Sequence, residues 1–91
     1  MNQYTLINGE KFFMMAYVLI NTEIGSIPEV LTAIQKIKNV TEAHSVYGVY
    51  DIVAKVEAET MSKLKDLVTW KIRRLNSVRS TLTMIVMEDS S

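Results

Sequence analysis

The chain has 91 residues, which is the length of one small domain. Ten lysines and arginines balance ten aspartates and glutamates, so the chain lacks the basic excess that nucleic-acid binding by counterion release requires. It has no cysteine and a single histidine, which excludes disulfides and argues against a zinc site.

Residues 1–13 are interpreted as an N-terminal extension of a domain that spans residues 14–91. Its apolar piece, residues 4–7, is flanked by turn-forming residues and suits either an extra edge strand or an arm that docks on a neighbour. A second interpretation places the biological start at Met14 or Met15. No apolar run approaches the roughly 20 residues of a membrane span and no signal peptide is recognisable, so we expect a soluble, cytoplasmic protein.

The first strand and first helix follow the extension. Residues 14–21 are apolar at both alternating positions, which predicts a strand in a sheet covered on both faces. Ser26 and Glu29 form a capping box, after which apolar residues recur with helical spacing as far as Ile37. Asn39 is expected to end this helix in a left-handed cap.

The second half repeats the arrangement. Side chains in residues 40–46 and 51–57 alternate between two sides, though loosely, so each stretch is predicted to be a strand. Because only a short loop separates the two strands, they are predicted to pair antiparallel. Thr60 is placed to cap a second helix. The apolar stripe of this helix consists of Met61, Leu64, Val68, Ile72 and Leu75. Residues 78–87 form the last strand.

This element order, strand–helix–strand twice, predicts a ferredoxin-like α+β fold. Its βαββαβ chain places two helices on one face of a four-stranded antiparallel sheet. The bare face of the sheet is then expected to carry Tyr17, Leu19, Val53, Thr81, Thr83 and Ile85. A face this apolar predicts dimerisation sheet to sheet.

The stretch between the two central strands is the candidate functional loop. Residues 47–51 hold a glycine, two tyrosines and an aspartate, and we interpret them as a tight hairpin at the edge of a ligand site. Asp51 has an ordinary alternative, because aspartate side chains in turns bond nearby backbone N–H groups. Gly48 is required by the turn itself if its φ is positive.

Three other features each allow two interpretations. His44 lacks the partners that catalysis would need, so a strand-surface or interface residue is preferred. Lys71, Arg73 and Arg74 form a basic cluster, which is favoured near a helix C-terminus by the helix dipole. The alternative is that the cluster forms a nucleic-acid-binding patch. Trp70 lies opposite the apolar stripe, either resting on Lys71 or Arg74 or anchoring a subunit contact.

Two motifs together resemble a known family. A Tyr-Gly-x-Tyr-Asp centre within residues 40–56, followed by Lys71-Ile72-Arg73-Arg74-Leu75-x-x-Val78-Arg79-Ser80-Thr81-x-Thr83, resembles the effector (RAM) domain of the Lrp/AsnC transcription regulators. The resemblance covers residues 14–87. It implies a domain that binds free amino acids or related small molecules at subunit contacts, dimerises through its sheets and commonly joins four dimers into an octamer.

The resemblance also implies roles for individual residues. Gly48 would let ligand and backbone approach closely, and Asp51 would pair with the ligand's ammonium group. The side chain of Tyr47 would line the pocket. Hydrogen-bond donors for the carboxylate or side chain of the ligand would come from the last strand of an adjoining subunit. The implied ligand-binding residues are Tyr47, Gly48, Asp51, Arg79, Ser80 and Thr81. The expected oligomer interface comprises Tyr17, Leu19, Val53, Trp70, Thr83 and Ile85.

Full-length members of this family carry an N-terminal helix-turn-helix domain that reads DNA, and the roughly thirteen residues before the first strand are too few for its three helices. We therefore expect a stand-alone amino-acid-sensing oligomer that modulates transcription or amino-acid metabolism. Other copies and full-length Lrp/AsnC regulators are its expected partners, without direct nucleic-acid or membrane binding. No catalytic group, metal or cofactor is expected. The alternatives are a small cofactor-free enzyme of the dimeric α/β-barrel type, or a purely structural co-assembly partner of full-length regulators.

Overall fold

The computed structural model describes residues 5–7, 10–12 and 14–87, with side chains described from residue 14 to residue 87. The first two strands, β1 (Thr5–Ile7) and β2 (Glu10–Phe12), pair antiparallel with each other. They form a sheet of their own, so the apolar piece of the extension is not an extra edge strand of the main sheet.

The main sheet has four antiparallel strands in the order β4–β5–β3–β6. Its strands are β3 (Met14–Thr22), β4 (Val40–Ser45), β5 (Ile52–Ala58) and β6 (Val78–Ile85). The helices are α1 (Ile27–Gln35) and α2 (Met61–Asp66), and α2 continues directly into a π-helical segment, Leu67–Ile72. The predicted ferredoxin-like βαββαβ order is confirmed.

The core lies between one face of this sheet and the two helices. Ala16, Val18 and Ile20 alternate along β3 and are fully buried, as is Ile34 of α1. Full burial of an isoleucine contributes about 1.5–3 kcal/mol, so this single layer provides much of the stability. Helix α1 packs mainly on β4, and α2 packs on β5 and β3, which leaves the edge strand β6 the least covered.

The two helix starts differ. Thr60 has extended backbone, and its hydroxyl accepts a hydrogen bond from the Lys63 amide at 3.1 Å, as predicted. The Lys63 ammonium also lies 2.7 Å from Glu59 and lowers the pKa of that carboxyl. Ser26 makes no side-chain capping bond, so the predicted capping box is wrong. Its φ and ψ of −105° and 4° lie outside the extended region from which a capping hydroxyl reaches the first-turn amides.

Helix α1 ends at Gln35, before Asn39. Among the described residues, left-handed φ values occur at Gly25 (82°) and Ser77 (72°), so the predicted left-handed cap at Asn39 is wrong. The Asn39 side-chain amide instead donates to the Glu57 carbonyl at 2.8 Å, while the Glu57 amide donates to the Asn39 carbonyl at 3.0 Å. Asn39 therefore ties the end of the first crossover to β5.

The second half of the second helix is π-helical and buries one side chain that was not predicted. Its wider turn is shown by the Arg73 amide, which donates to the carbonyl of Val68, five residues earlier, at 2.8 Å. Leu67 is buried, although the apolar stripe predicted from regular helical spacing leaves it out. Val68 and Ile72 are buried as predicted.

The pairing of β6 with β3 settles which residues occupy the bare sheet face. Leu82 lies opposite Leu19, and Met84 lies opposite Tyr17. Directly opposed residues share a face, so Leu82 and Met84 project from the bare side together with Val53, the β5 partner of Leu19. Tyr17, Leu19 and Val53 therefore lie on the predicted face.

The same pairing shows that three residues expected on the bare face lie on the opposite face of the sheet. Thr81, Thr83 and Ile85 lie opposite Ile20, Val18 and Ala16, which are buried under the helices. The three side chains therefore belong to the helix side of β6. A one-residue change in parity moves a whole strand to the other face. In β6 the more apolar parity, which includes Leu82 and Met84, faces away from the helices, so the alternation alone predicted the wrong face.

Candidate functional site

The loop between β4 and β5 spans residues 46–51 and is closed by a hydrogen bond from the Val46 amide to the Asp51 carbonyl at 2.9 Å. Tyr47 and Val49 project into solvent almost completely. Gly48 does not have a positive φ, and an added Cβ would meet nothing within 4 Å. The fold of a single chain therefore does not require the glycine or the aromatic ring.

Asp51 is anchored to the end of β3. Its Oδ2 accepts a hydrogen bond from the Thr22 amide at 2.8 Å and lies 3.3 Å from the Thr22 hydroxyl. Its own amide donates to the Ile20 carbonyl at 2.9 Å. The ordinary interpretation of a turn aspartate is thus partly correct, but the amide that it binds belongs to a neighbouring strand. This anchoring fixes the position of the carboxylate.

Arg79 is brought beside Asp51 by an irregularity in the sheet. Asn21 pairs with Ser80 and Thr22 pairs with Val78, so Arg79 is left without a partner in the ladder. An extra residue of this kind forms a β-bulge, which re-aims the side chain and is over-represented next to active sites. The Arg79 side chain is exposed, with Nε 4.0 Å from Oε2 of Glu23.

A cavity of about 400 Å³ results at this end of the sheet. It is lined by Asn21, Thr22, Asp51, Arg79 and Ser80. Three of the six predicted ligand-binding residues therefore meet in one chain. We call this cavity the Asp51 pocket. It offers an anion, a guanidinium, a hydroxyl and an amide, which is a donor and acceptor set that suits a zwitterion.

The other three predicted ligand-binding residues lie elsewhere. Tyr47 and Gly48 are in the exposed loop and do not line the Asp51 pocket. Thr81 lines a larger groove beside β6. Sequence reasoning missed Asn21 and Thr22, because their place beside Asp51 follows from strand pairing across 29 residues of chain. Polar residues at the end of an otherwise apolar strand were the available signal.

Trp70 and His44 occupy surface positions. Trp70 is 59% exposed, and the Arg74 guanidinium lies 5.3 Å from its ring centroid, as in a cation–π contact. The ring therefore rests on Arg74. His44 is exposed beside Glu42, with Nε2 and Oε1 3.3 Å apart. A contact of Trp70 with a second subunit stays a prediction.

Comparison with known proteins decides the family. The sequence profile described as the Lrp/AsnC ligand binding domain matches residues 15–90. The chain belongs to this family. The proline dehydrogenase transcriptional activator of Rhizobium radiobacter is 36% identical over 70 residues, which cover 77% of this chain and 45% of that protein. The leucine-responsive regulatory protein of Escherichia coli K12 is 36% identical over 58 residues, which cover 64% of this chain and 35% of that protein.

A solved structure matches most of this Lrp/AsnC domain. The crystal structure of FFRP-DM1 superposes with a TM-score of 0.79 at 36% identity, covering 81% of this chain and 99% of that one. The chain spans less than half the length of the two curated relatives, which by name are a transcriptional activator and a regulatory protein. The predicted family is confirmed. No helix in the described part of the chain is long and apolar enough to cross a membrane.

Proposed function

We propose that this Lrp/AsnC domain binds a free amino acid in the Asp51 pocket and couples that binding to assembly with other copies of the domain. The proposal rests above all on the meeting of Asp51 and Arg79 around one small cavity. An α-ammonium group pairs with a carboxylate, and an α-carboxylate pairs with a guanidinium, so the two ends of an amino acid are matched.

The two charged residues are suited to these roles in different ways. Asp51 is fixed by its bonds to Thr22, so it is positioned before the ligand arrives. Arg79 and Glu23 are both mostly exposed, and at 4.0 Å their ion pair is loose. An exposed pair of this kind contributes at most about 1 kcal/mol. A ligand carboxylate can therefore replace Glu23 at little cost.

The names of the relatives suggest which amino acids to try first. One is a leucine-responsive regulatory protein and the other is a proline dehydrogenase transcriptional activator. Leucine and proline are accordingly the first candidate ligands, and transcription regulation is the proposed setting. The domain acts there by joining further copies of itself, as a dimer or an octamer, or full-length regulators of the family.

Exposed apolar side chains support the assembly step. Tyr17, Leu82 and Met84 are 39%, 45% and 47% exposed on the bare sheet face, where they form a continuous patch with Leu19. Tyr47 projects from the loop that also carries Asp51. A subunit that packed on either surface would remove these groups from water, and a contact at the loop would reach the ligand site.

A thermal-shift screen against the twenty standard amino acids tests the proposal. A ligand that binds only the folded state, present at a hundred times its Kd, stabilises it by about 2.7 kcal/mol. We expect the shift to disappear in Asp51→Asn, which retains an oxygen to accept from Thr22 and removes the charge. Arg79→Gln is expected to lose it as well. Glu29→Gln, an exposed change on α1, is the matched control.

If no amino acid raises the unfolding temperature, the sensor proposal fails. If the size of the assembly does not change with any amino acid, a purely structural co-assembly role is favoured. The bare sheet face alone would support such a role. A shift that survives in Asp51→Asn would place the ligand elsewhere in the domain.

A further inference from the structure

A second, larger groove lies on the helix side of β6, beside the Asp51 pocket. It has a volume of about 730 Å³ and is bounded by α2, its π-helical continuation and β6. The groove exists because two helices cover only β4, β5 and β3. Its size is within the range of about 300–1,000 Å³ typical of small-molecule pockets.

The charged residues that line this groove are all basic, although one of them, Arg79, also lies near Glu23. Lys65, Arg73 and Arg79 line it, and the residues lining it include no aspartate or glutamate. Neither Lys65 nor Arg73 forms an ion pair with the residues that the structure describes. Three cations around a concave surface produce a positive potential that attracts an anion.

The interior of the groove is apolar with a polar edge. Leu64 and Val68 reach it from the helix, and Ile85 reaches it from the strand. Thr81 and Thr83 add hydroxyl groups along β6. A ligand with one anionic end and a branched hydrocarbon tail satisfies both parts, since the tail covers the apolar surface while the anion meets the guanidinium groups.

We propose that the groove binds a small carboxylate that has a branched apolar tail and no ammonium group. An ammonium group is disfavoured there because the lining offers it no carboxylate partner and three repelling cations. The Asp51 pocket has the opposite preference, because Asp51 supplies the missing anion. The two sites would therefore distinguish an amino acid from its deaminated counterpart.

The two sites are also connected. Arg79 and Ser80 line both the groove and the Asp51 pocket. When the Arg79 guanidinium pairs with the carboxylate of a ligand in one site, it cannot pair with the carboxylate of a ligand in the other site. Each ligand therefore weakens binding of the other by the same factor. This coupling rests on the proposed amino-acid site, whereas binding in the groove does not.

Calorimetric titration with three probes of similar tail shape tests groove binding. 4-Methylpentanoate carries only the carboxylate, 3-methylbutylamine carries only the ammonium group, and L-leucine carries both. We expect the unmodified full chain to bind 4-methylpentanoate and not the amine. Arg73→Gln should weaken carboxylate binding by about tenfold, because a charge-assisted pair is lost. Lys36→Gln, an exposed change on the first crossover, is the control and should leave affinity unchanged.

The variants separate the two sites. Asp51→Asn should abolish leucine binding and preserve 4-methylpentanoate binding, while Arg79→Gln should weaken both. If none of the twenty amino acids raises the unfolding temperature while the carboxylate binds in an Arg73-dependent manner, the amino-acid proposal is overturned and the groove is supported. Equal binding of the amine, or wild-type affinity in Arg73→Gln, would overturn the groove. An affinity for 4-methylpentanoate that saturating leucine leaves unchanged would overturn the coupling.

Discussion

At the residue scale, Asp51 stabilises the fold as well as lining the proposed pocket. Its carboxylate accepts from the Thr22 amide in a partly buried position, so a variant without the carboxylate leaves that donor unpaired. A ligand-binding assay that used only Asp51→Ala would therefore mix two effects. Asn retains an acceptor of similar size, which is why it is the better substitution.

Asp51→Ala is expected to lower the free energy of unfolding of the unliganded protein by about 1–2 kcal/mol, because a partly buried donor loses its partner. Asp51→Asn should cost less than Asp51→Ala. Urea denaturation at one fixed protein concentration measures both. Wild-type stability in Asp51→Ala would show that the Thr22 bond contributes nothing.

Gly48 gives the converse case, since nothing in a single chain requires a glycine there. Gly48→Ala is expected to leave the unliganded fold unchanged or to stabilise it by up to about 1 kcal/mol, because alanine restricts the unfolded chain. If the loop is approached by a ligand or a second subunit, the same variant should lose ligand-induced stabilisation or assembly. Denaturation and light scattering on one sample separate the two effects. A destabilised Gly48→Ala monomer would contradict the open surroundings of this residue.

At the element scale, two similar sequence signals had different outcomes. Ser26 with Glu29 matched the capping-box pattern and makes no cap, whereas Thr60 lacks the glutamate and does cap its helix. The difference comes from the preceding turn. The Ser26 amide donates to the Glu23 carbonyl at 3.0 Å across Gly25, whose φ is 82°, and this turn sets the backbone of Ser26.

A matched pair of substitutions tests this difference. Thr60→Ala is expected to destabilise the protein by about 1 kcal/mol, because the Lys63 amide loses its acceptor. Ser26→Ala is expected to stay within about 0.5 kcal/mol of wild type, since no capping bond is removed. Chemical denaturation midpoints give both values. Equal losses at the two positions would mean that Ser26 caps its helix after all.

Existence and order of the elements in the main sheet followed from the sequence, and their details did not. Hydrophobic spacing is a local property, so it located β3 to β6 and both helices. The widened turn and the burial of Leu67 were not predicted. Of the proposed pocket, Asp51, Arg79 and Ser80 followed from the family resemblance.

At the scale of the whole molecule, the bare sheet face is the surface on which the proposed assembly depends. Its apolar part consists of Tyr17, Leu19, Val53, Leu82 and Met84, and it is bordered on β4 by the exposed pair Glu42 and His44. An apolar centre with a polar border is the usual composition of a protein–protein interface.

Leu82→Lys is expected to dissociate the sheet-packed dimer, because a buried lysine would have to lose its hydration without a partner. Light scattering at micromolar concentration should change from a multiple of the chain mass to the monomer mass of 10.4 kDa. Thr32→Lys, which adds the same charge on exposed α1, should leave the mass unchanged. A dimer that survives Leu82→Lys would contradict packing through this face.

The sequence by itself determined the fold class, the family and the presence of an apolar sheet face. The reason is that hydrophobic periodicity, turn residues and motif spacing are properties of the linear sequence. Only the tertiary structure decided the parity of β6, the bulge at Arg79 and the meeting of Asp51 with Asn21 and Thr22. Each of these depends on how strands distant in sequence align, and a shift of one residue exchanges the two faces of a strand. The groove beside β6 has the same origin, since the order of the strands leaves that edge the least covered by the helices.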